Sequence, residues 1–179
     1  MSTISGSSCC GKTSLALALA SSITRTGGYA ALVDGTGYVF PPALRTHDAR
    51  LAHLLLVRVP RGERNRNQKG GGLFWASNQV IRSGLFDLVV LLGLKHRALS
   101  AIRQLQLTSE QSPSALLVVH SKKLTLPGGL FHTRIELEDA HSLSESPGLR
   151  SPIAAPTRHT IVHITERGYT RRTSSIAHL

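Results

Sequence analysis

Gly6-Ser7-Ser8-Cys9-Cys10-Gly11-Lys12-Thr13 fills every fixed position of the spacing G-x-x-x-x-G-K-[ST]. Residues of these types at this spacing are suited to holding phosphate. Small side chains let successive backbone N–H groups converge on an anion without obstruction. Lys12 supplies a mobile positive charge for terminal phosphates, and the Thr13 hydroxyl is a ligand for Mg²⁺. Ser14 adds another small hydroxyl residue directly after them. A helix beginning at Lys12 would aim the positive end of its dipole at the same anion. The competing reading is a glycine- and serine-rich lead-in with a coincidental Lys-Thr pair. Cys9 and Cys10 read as small loop-fillers, although a thiol beside a lysine at a helix start can also be oxidisable.

The elements around the motif are legible from apolar periodicity. Ser2–Ser5 is a short polar lead-in or the stub of a first strand. Lys12 to Arg25 reads as a helix in which Leu15, Leu19 and Ile23 recur at i+4, with Leu17 beside them and Gly27-Gly28 as the stop. Tyr29–Asp34 is a buried-strand run ending in a carboxylate. Gly35 and Gly37 then turn the chain, and Pro41-Pro42 open a short helix carrying Leu44. Strand runs recur at Leu54–Val59, Phe86–Leu92 and Ser114–His120, separated by helical patterns over Leu73–Ser83 and His96–Thr108. In the second helix Leu99, Ile102, Arg103 and Leu107 fall near one side, and in the first Phe74 and Trp75 are expected to pack on the sheet. From Phe131 the pattern changes to alternation, in Phe131–Leu137 and Thr160–Thr165, with a Ser- and Pro-rich loop between them and a frayed basic tail from Arg167. Strand alternating with helix, then two strands without helices, predicts one α/β domain. Its sheet should be mostly parallel and flanked by helices, with antiparallel strands added at the C-terminal edge.

Composition narrows the partners. Of 179 residues, 41% are hydrophobic and only 4% aromatic, so the core must be aliphatic. No apolar run reaches the ~18 residues that span a bilayer and no signal-peptide layout opens the chain, so no membrane partner and a cytoplasmic location are expected. Two adjacent cysteines make neither a disulfide framework nor a metal site, which agrees with a reducing compartment. Nine histidines are scattered. His159 and His163, on one face of a strand, have no third ligand nearby in sequence. The formal net charge of +11 favours a polyanion, because each neutralised phosphate releases condensed counterions.

The run Gly6–Pro42, with its phosphate-binding motif, helix, Gly-containing turn, strand ending in Asp34 and nearby proline, resembles the core of RecA recombinases. More closely it is similar to the short RecA-like accessory proteins of bacterial mutagenic DNA repair, the ImuA type. Arg82-Ser83-Gly84 before FDLVVLL, then SALLVVHSKK, then PGGLFHTRIEL with Arg134, extend the resemblance to about residues 5–138. It implies a RecA-like P-loop core over 1–138, with 139–179 an appended loop, edge strand and basic tail of the same domain. ATP and Mg²⁺ are the implied cofactors. The implied partners are single-stranded DNA or a DNA-bound recombinase or specialised polymerase.

The sequence also departs from that family. Where recombinases carry a catalytic glutamate two residues after the strand-end Asp, this chain has Thr36. Leu91 or Leu92 stands where the Mg²⁺-associated carboxylate belongs, and His120 or Ser121 where a nucleotide-sensing glutamine belongs. The recombinases' N-terminal oligomerisation segment has no counterpart before Gly6. Without a group to deprotonate or orient water, general acid–base help of roughly 10²–10⁴ in rate is lost. Nucleotide binding with slow or absent turnover is therefore expected. Asp34 is the candidate to compensate, as a catalytic or Mg²⁺-assisting carboxylate, and its other reading is a cap for the Gly35–Gly37 turn.

Two basic segments are candidates for nucleic acid. Arg61, Arg64, Arg66 and Lys69 oppose only Glu63 in a glycine-terminated loop where Asn65, Asn67 and Gln68 can add hydrogen bonds. Arg171 and Arg172, with Arg167 and Tyr169, form the second. Three functions remain open at this level: a nucleotide-binding accessory of DNA repair, an active ATPase or small-molecule kinase, and a scaffold that keeps the motif only as architecture.

Overall fold

The structure, a computed structural model, describes residues 1–7, 10–59, 71–94, 99–120, 130–140, 159–166 and 169–176. In chain order the elements begin with β1 (Ser2–Gly6), α1 (Lys12–Arg25), β2 (Ala30–Asp34), the short α2 (Pro42–Arg45) and a 3₁₀ turn at Leu51–His53. Next come β3 (Leu54–Arg58), α3 (Gly71–Arg82), β4 (Leu88–Leu92), α4 (Leu99–Glu110) and β5 (Ala115–His120). Three further strands complete the described elements: β6 (Thr133–Ala140), β7 (His159–Glu166) and β8 (Tyr169–Ile176).

All eight strands join one sheet in the order β3-β2-β4-β5-β1-β6-β7-β8. The five strands from β3 to β1 are mutually parallel, and β6 is parallel to β1. Antiparallel pairing begins only at β7 and continues to β8. The mostly parallel sheet with antiparallel strands at one edge is therefore present, with one correction to the expectation. The strand within Phe131–Leu137, β6, is parallel to β1 and antiparallel only to β7. The second correction concerns the basic tail: Tyr169–Ile176 pairs along all of β7 instead of fraying. Its Thr- and Ser-rich composition suits an edge ladder, which charge alone conceals.

Layering follows from the handedness of crossovers. From β1 the chain steps to β2 and on to β3, moving one way across the sheet, and α1 and α2 pack on one face. It then returns through β4 to β5, and α3 and α4 pack on the other, as right-handed connections require. Alternate residues of each central strand supply the two cores. Ile4, Leu32, Val90, Leu117 and Leu137 join the α1 side. Val33, Val89, Leu91 and Val118 join Ile81, Ile102 and Leu105 on the α3–α4 side. Of the two readings of Ser2–Ser5 the strand holds: β1 is central, with Thr3, Ile4 and Ser5 buried and the Thr3 hydroxyl donating to the Val118 carbonyl.

Three helix-face expectations need correction. In α1 the buried stripe is Ala16, Leu17, Ala20, Ser21 and Thr24, while Leu19 is exposed. Small residues let this helix lie close on the sheet, and the Ser21 and Thr24 hydroxyls bond back to the carbonyls of Leu17 and Ser21, so they bury without loss. In α4 the buried pair is Ile102 and Leu105, and Leu107 is exposed. Phe74 packs against the α3–α4 core as expected, but Trp75 is exposed.

Leu32→Ala, deep in the sheet, is expected to lower the unfolding free energy by about 2–5 kcal/mol. Leu107→Ala should change it by less than about 0.5 kcal/mol. Urea denaturation followed by circular dichroism measures both, and comparable losses would contradict the burial pattern described.

Candidate nucleotide-binding site

β1 ends at Gly6 in mid-sheet, flanked by β5 and β6, and α1 starts at Lys12 on the face that Ile4 also lines. Ligands of open parallel sheets sit beyond these carboxyl ends. Gly6 is required by space. A Cβ built there would lie 2.5 Å from the Cys10 sulfur and 2.5 Å from the Leu137 carbonyl oxygen, so no larger residue fits. Cys10 is buried in the α1-side core, which explains a small apolar residue at that position. Gly11 has φ 82°, a left-handed conformation that L side chains rarely adopt, and it turns the chain into the helix.

The first turn of α1 has no side-chain cap and no acidic residue. Its leading amides have no intrahelical acceptors, so the helix start directs N–H groups and positive dipole toward the carboxyl end of the sheet. The Lys12 ammonium donates to the carbonyl of Ser7, bringing its charge across the mouth of the turn. Thr13 is half-buried beside it and Ser14 is exposed. Ser8 and Cys9 lie outside the described residues. Of the predicted set, Gly6, Ser7, Cys10, Gly11, Lys12, Thr13 and Ser14 therefore belong to one strand-to-helix turn.

Asp34 is at the carboxyl end of β2, two strands away from β5, fully buried. One carboxylate oxygen accepts from the Thr36 amide at 2.8 Å, the Thr36 hydroxyl at 2.6 Å and the Gly37 amide at 2.9 Å. The other accepts from the Val39 amide at 3.0 Å. Desolvation is the largest single influence on its acidity and raises the pKa. The hydrogen bonds from the Thr36 hydroxyl and the amides of Val39, Thr36 and Gly37 together outweigh it, and the net shift is downward. A carboxylate held by four donors in this way organises the Gly35–Val39 turn. Thr36 supplies two of those donors, its amide and its hydroxyl.

A polar row near the turn has no signal in the sequence. Ser5 pairs with His120 on β5 and with Glu136 on β6, so the three lie side by side on the face opposite α1. Ser5 and His120 are buried and Glu136 is half-buried. Glu136 is thus a carboxylate adjacent to the strand that carries Gly6. It sits far from the motif in sequence, and only sheet register shows the proximity. His163 pairs with Glu136 across β7 and lies 3.6 Å from the Glu138 carboxylate. Among the described residues no group of three or more His, Cys, Asp or Glu side chains is arranged to hold a metal ion.

Arg61, Arg64, Arg66 and Lys69 lie outside the described residues. Arg171 and Arg172 fall on β8 in register with Ile164 and His163, so these two members of the second basic cluster belong to the outermost strand, while Arg167 lies outside the described residues. No described helix is long and apolar enough to cross a membrane. The sequence matches no protein-family model, and no curated protein is significantly similar to it.

Asp34→Asn is expected to destabilise the fold by about 2–4 kcal/mol, because a neutral amide accepts these bonds weakly and brings hydrogens into their path. The sign of the pH effect follows from the lowered pKa. The stabilisation by Asp34 is fully present above the ordinary carboxylate value of 3.8 and is lost as pH falls through the lower folded value. Unfolding curves of wild type and variant should converge in that acidic window, and a constant gap down to the lowest pH would refute the role.

Proposed function

We propose that the chain binds a nucleoside triphosphate, ATP with Mg²⁺, at Gly6–Thr13 as a RecA-like P-loop. The carrying observation is the turn itself: a glycine that admits no Cβ, a left-handed glycine, and a lysine at an uncapped helix start, all beyond the carboxyl end of a central parallel strand. These features suit a polyphosphate. Backbone amides and Lys12 take the anion, and Thr13 reaches the metal. Mg²⁺ would neutralise charge between the phosphates when bound.

Hydrolysis is slow in this reading. Asp34 is committed to its turn, and the β4 end carries Leu91 and Leu92 where a metal-assisting acid is expected. A strand order with β1 between β5 and β6 accommodates the RecA-like core, and the +11 charge fits a protein that works on or beside DNA. The resulting function is an accessory or regulatory one in DNA repair or translesion mutagenesis, of the ImuA kind, with nucleotide binding as the switch. The alternative is an active ATPase or kinase. One observation favours it, the register that places Glu136 beside β1.

A fluorescent ATP analogue titrated with Mg²⁺ should bind wild type and lose at least about tenfold in affinity in Lys12→Ala, since a charge-assisted phosphate contact is removed. Unchanged affinity in that variant, or no binding by a folded wild type, would remove the reading. Phosphate release should be close to the uncatalysed background. Sustained turnover abolished by Glu136→Gln would establish the enzymatic alternative instead.

A further inference from the structure

Beyond the carboxyl end of β2 the chain holds two aromatic rings outward on a rigid base. Tyr38 is 74% and Phe40 66% exposed, while Val39 between them is 2% exposed and plugs the α1-side core. The segment is fixed from several directions. The Asp34 carboxylate accepts the amides of Thr36, Gly37 and Val39. Below it, the Arg58 guanidinium donates to the Val39 carbonyl at 2.7 Å. Pro41 and Pro42 restrict the backbone immediately after Phe40, and Phe40 and Pro41 carbonyls accept the amides of Ala43 and Leu44. In a chain with only 4% aromatic residues, placing two on the outside of a turn held this firmly is not explained by core packing.

The charge of this stretch of chain is mostly positive. Between Gly35 and Arg58 the chain carries Arg45, Arg50 and Arg58 against a single acid, Asp48. Arg58, exposed on edge strand β3, reaches the main chain between the two rings, and Arg45 is exposed on α2 just beyond them. Flat π faces beside guanidinium groups are complementary to a polymer with flat bases and one phosphate per base. A duplex hides its base faces, so the chemistry selects a single strand. We propose that Tyr38 and Phe40 form a stacking platform for unpaired bases of a single-stranded nucleic acid, with Arg58 and Arg45 taking its phosphates. Stacking is tolerant of base identity, so binding is sequence-independent. Nothing in this surface depends on a nucleotide occupying the Gly6–Thr13 turn.

The test uses the full chain and a fluorescein-labelled oligothymidylate of about 15 nucleotides, followed by anisotropy. Tyr38→Ala with Phe40→Ala should weaken binding at least about tenfold. Tyr38→Trp with Phe40→Trp should preserve it. Arg45→Gln should lower the slope of log affinity against log salt by about 1. Both rings are exposed, so the alanine variant should keep the wild-type urea midpoint and its affinity for the fluorescent ATP analogue. An oligothymidylate that does not bind, or that binds the alanine variant as tightly as wild type, overturns the proposal. So does a tenfold loss of the ATP analogue with oligothymidylate binding unchanged, which would assign the rings to a mononucleotide. Equal affinity for a blunt duplex of the same length also overturns it, because base faces would not be read.

Discussion

The site depends on one close approach of main chain to main chain. At Gly6 the central strand ends against the backbone of β6 on one side and folds over a buried cysteine sulfur on the other, with room for hydrogen alone. Because β1 lies between β5 and β6, this turn opens at the middle of the sheet's carboxyl edge and not at its rim. The helix that starts from it must lie close on the sheet, and α1 does so with alanines and back-bonded Ser21 and Thr24. A larger residue at position 6 would separate strand from helix, and the donors at the helix start would lose their common focus.

A second constraint shapes the neighbouring turn. Asp34 is buried and charged at the end of β2, and such a group is tolerated only when its lone pairs are filled. Four donors fill them, three from the backbone, and in doing so fix the path from Gly35 to Val39. Gly93 faces this turn with φ 91°, where a Cβ would meet Thr36 at 2.8 Å, so β4 and the turn are packed to contact. The cost of burying one carboxylate is thereby offset by four hydrogen bonds, and the turn they fix carries two exposed aromatic rings. The same commitment leaves the carboxylate poorly suited to moving a proton, since protonation would break bonds that hold the turn.

The electrostatics of the protein divide by region. The Gly6–Thr13 turn offers localised donors: amides, a dipole and one ammonium. The +11 net charge is spread over arginines and lysines along the chain, which act at longer range and are screened by salt. Recognition of a polyphosphate at the first and of a polyanion by the second are separable physical problems, and they respond differently to ionic strength.

Much of this was legible in the residues. The strand–turn–helix around Gly6–Thr13, the alternating α/β pattern and the apolar runs of β2, β4 and β5 all follow from spacing, because local sterics and periodicity act within a few residues. Other features needed the folded chain. In α1 and α4 the leucine spacing points to a face that includes the exposed Leu19 and Leu107, whereas burial follows how closely a helix lies on its sheet. The basic tail became a strand because β7 offered it a ladder. That Asp34 anchors its own turn shows only in the folded chain, where it accepts four donors, the nearest two residues away. Glu136 came beside β1 only through parallel pairing between distant parts of the chain, a relation that no local pattern encodes. The sequence thus determined which segments form and where a glycine-rich strand-to-helix turn stands. Tertiary structure decided which side chains are inside and which groups neighbour the site, because those depend on contacts between segments far apart in the chain.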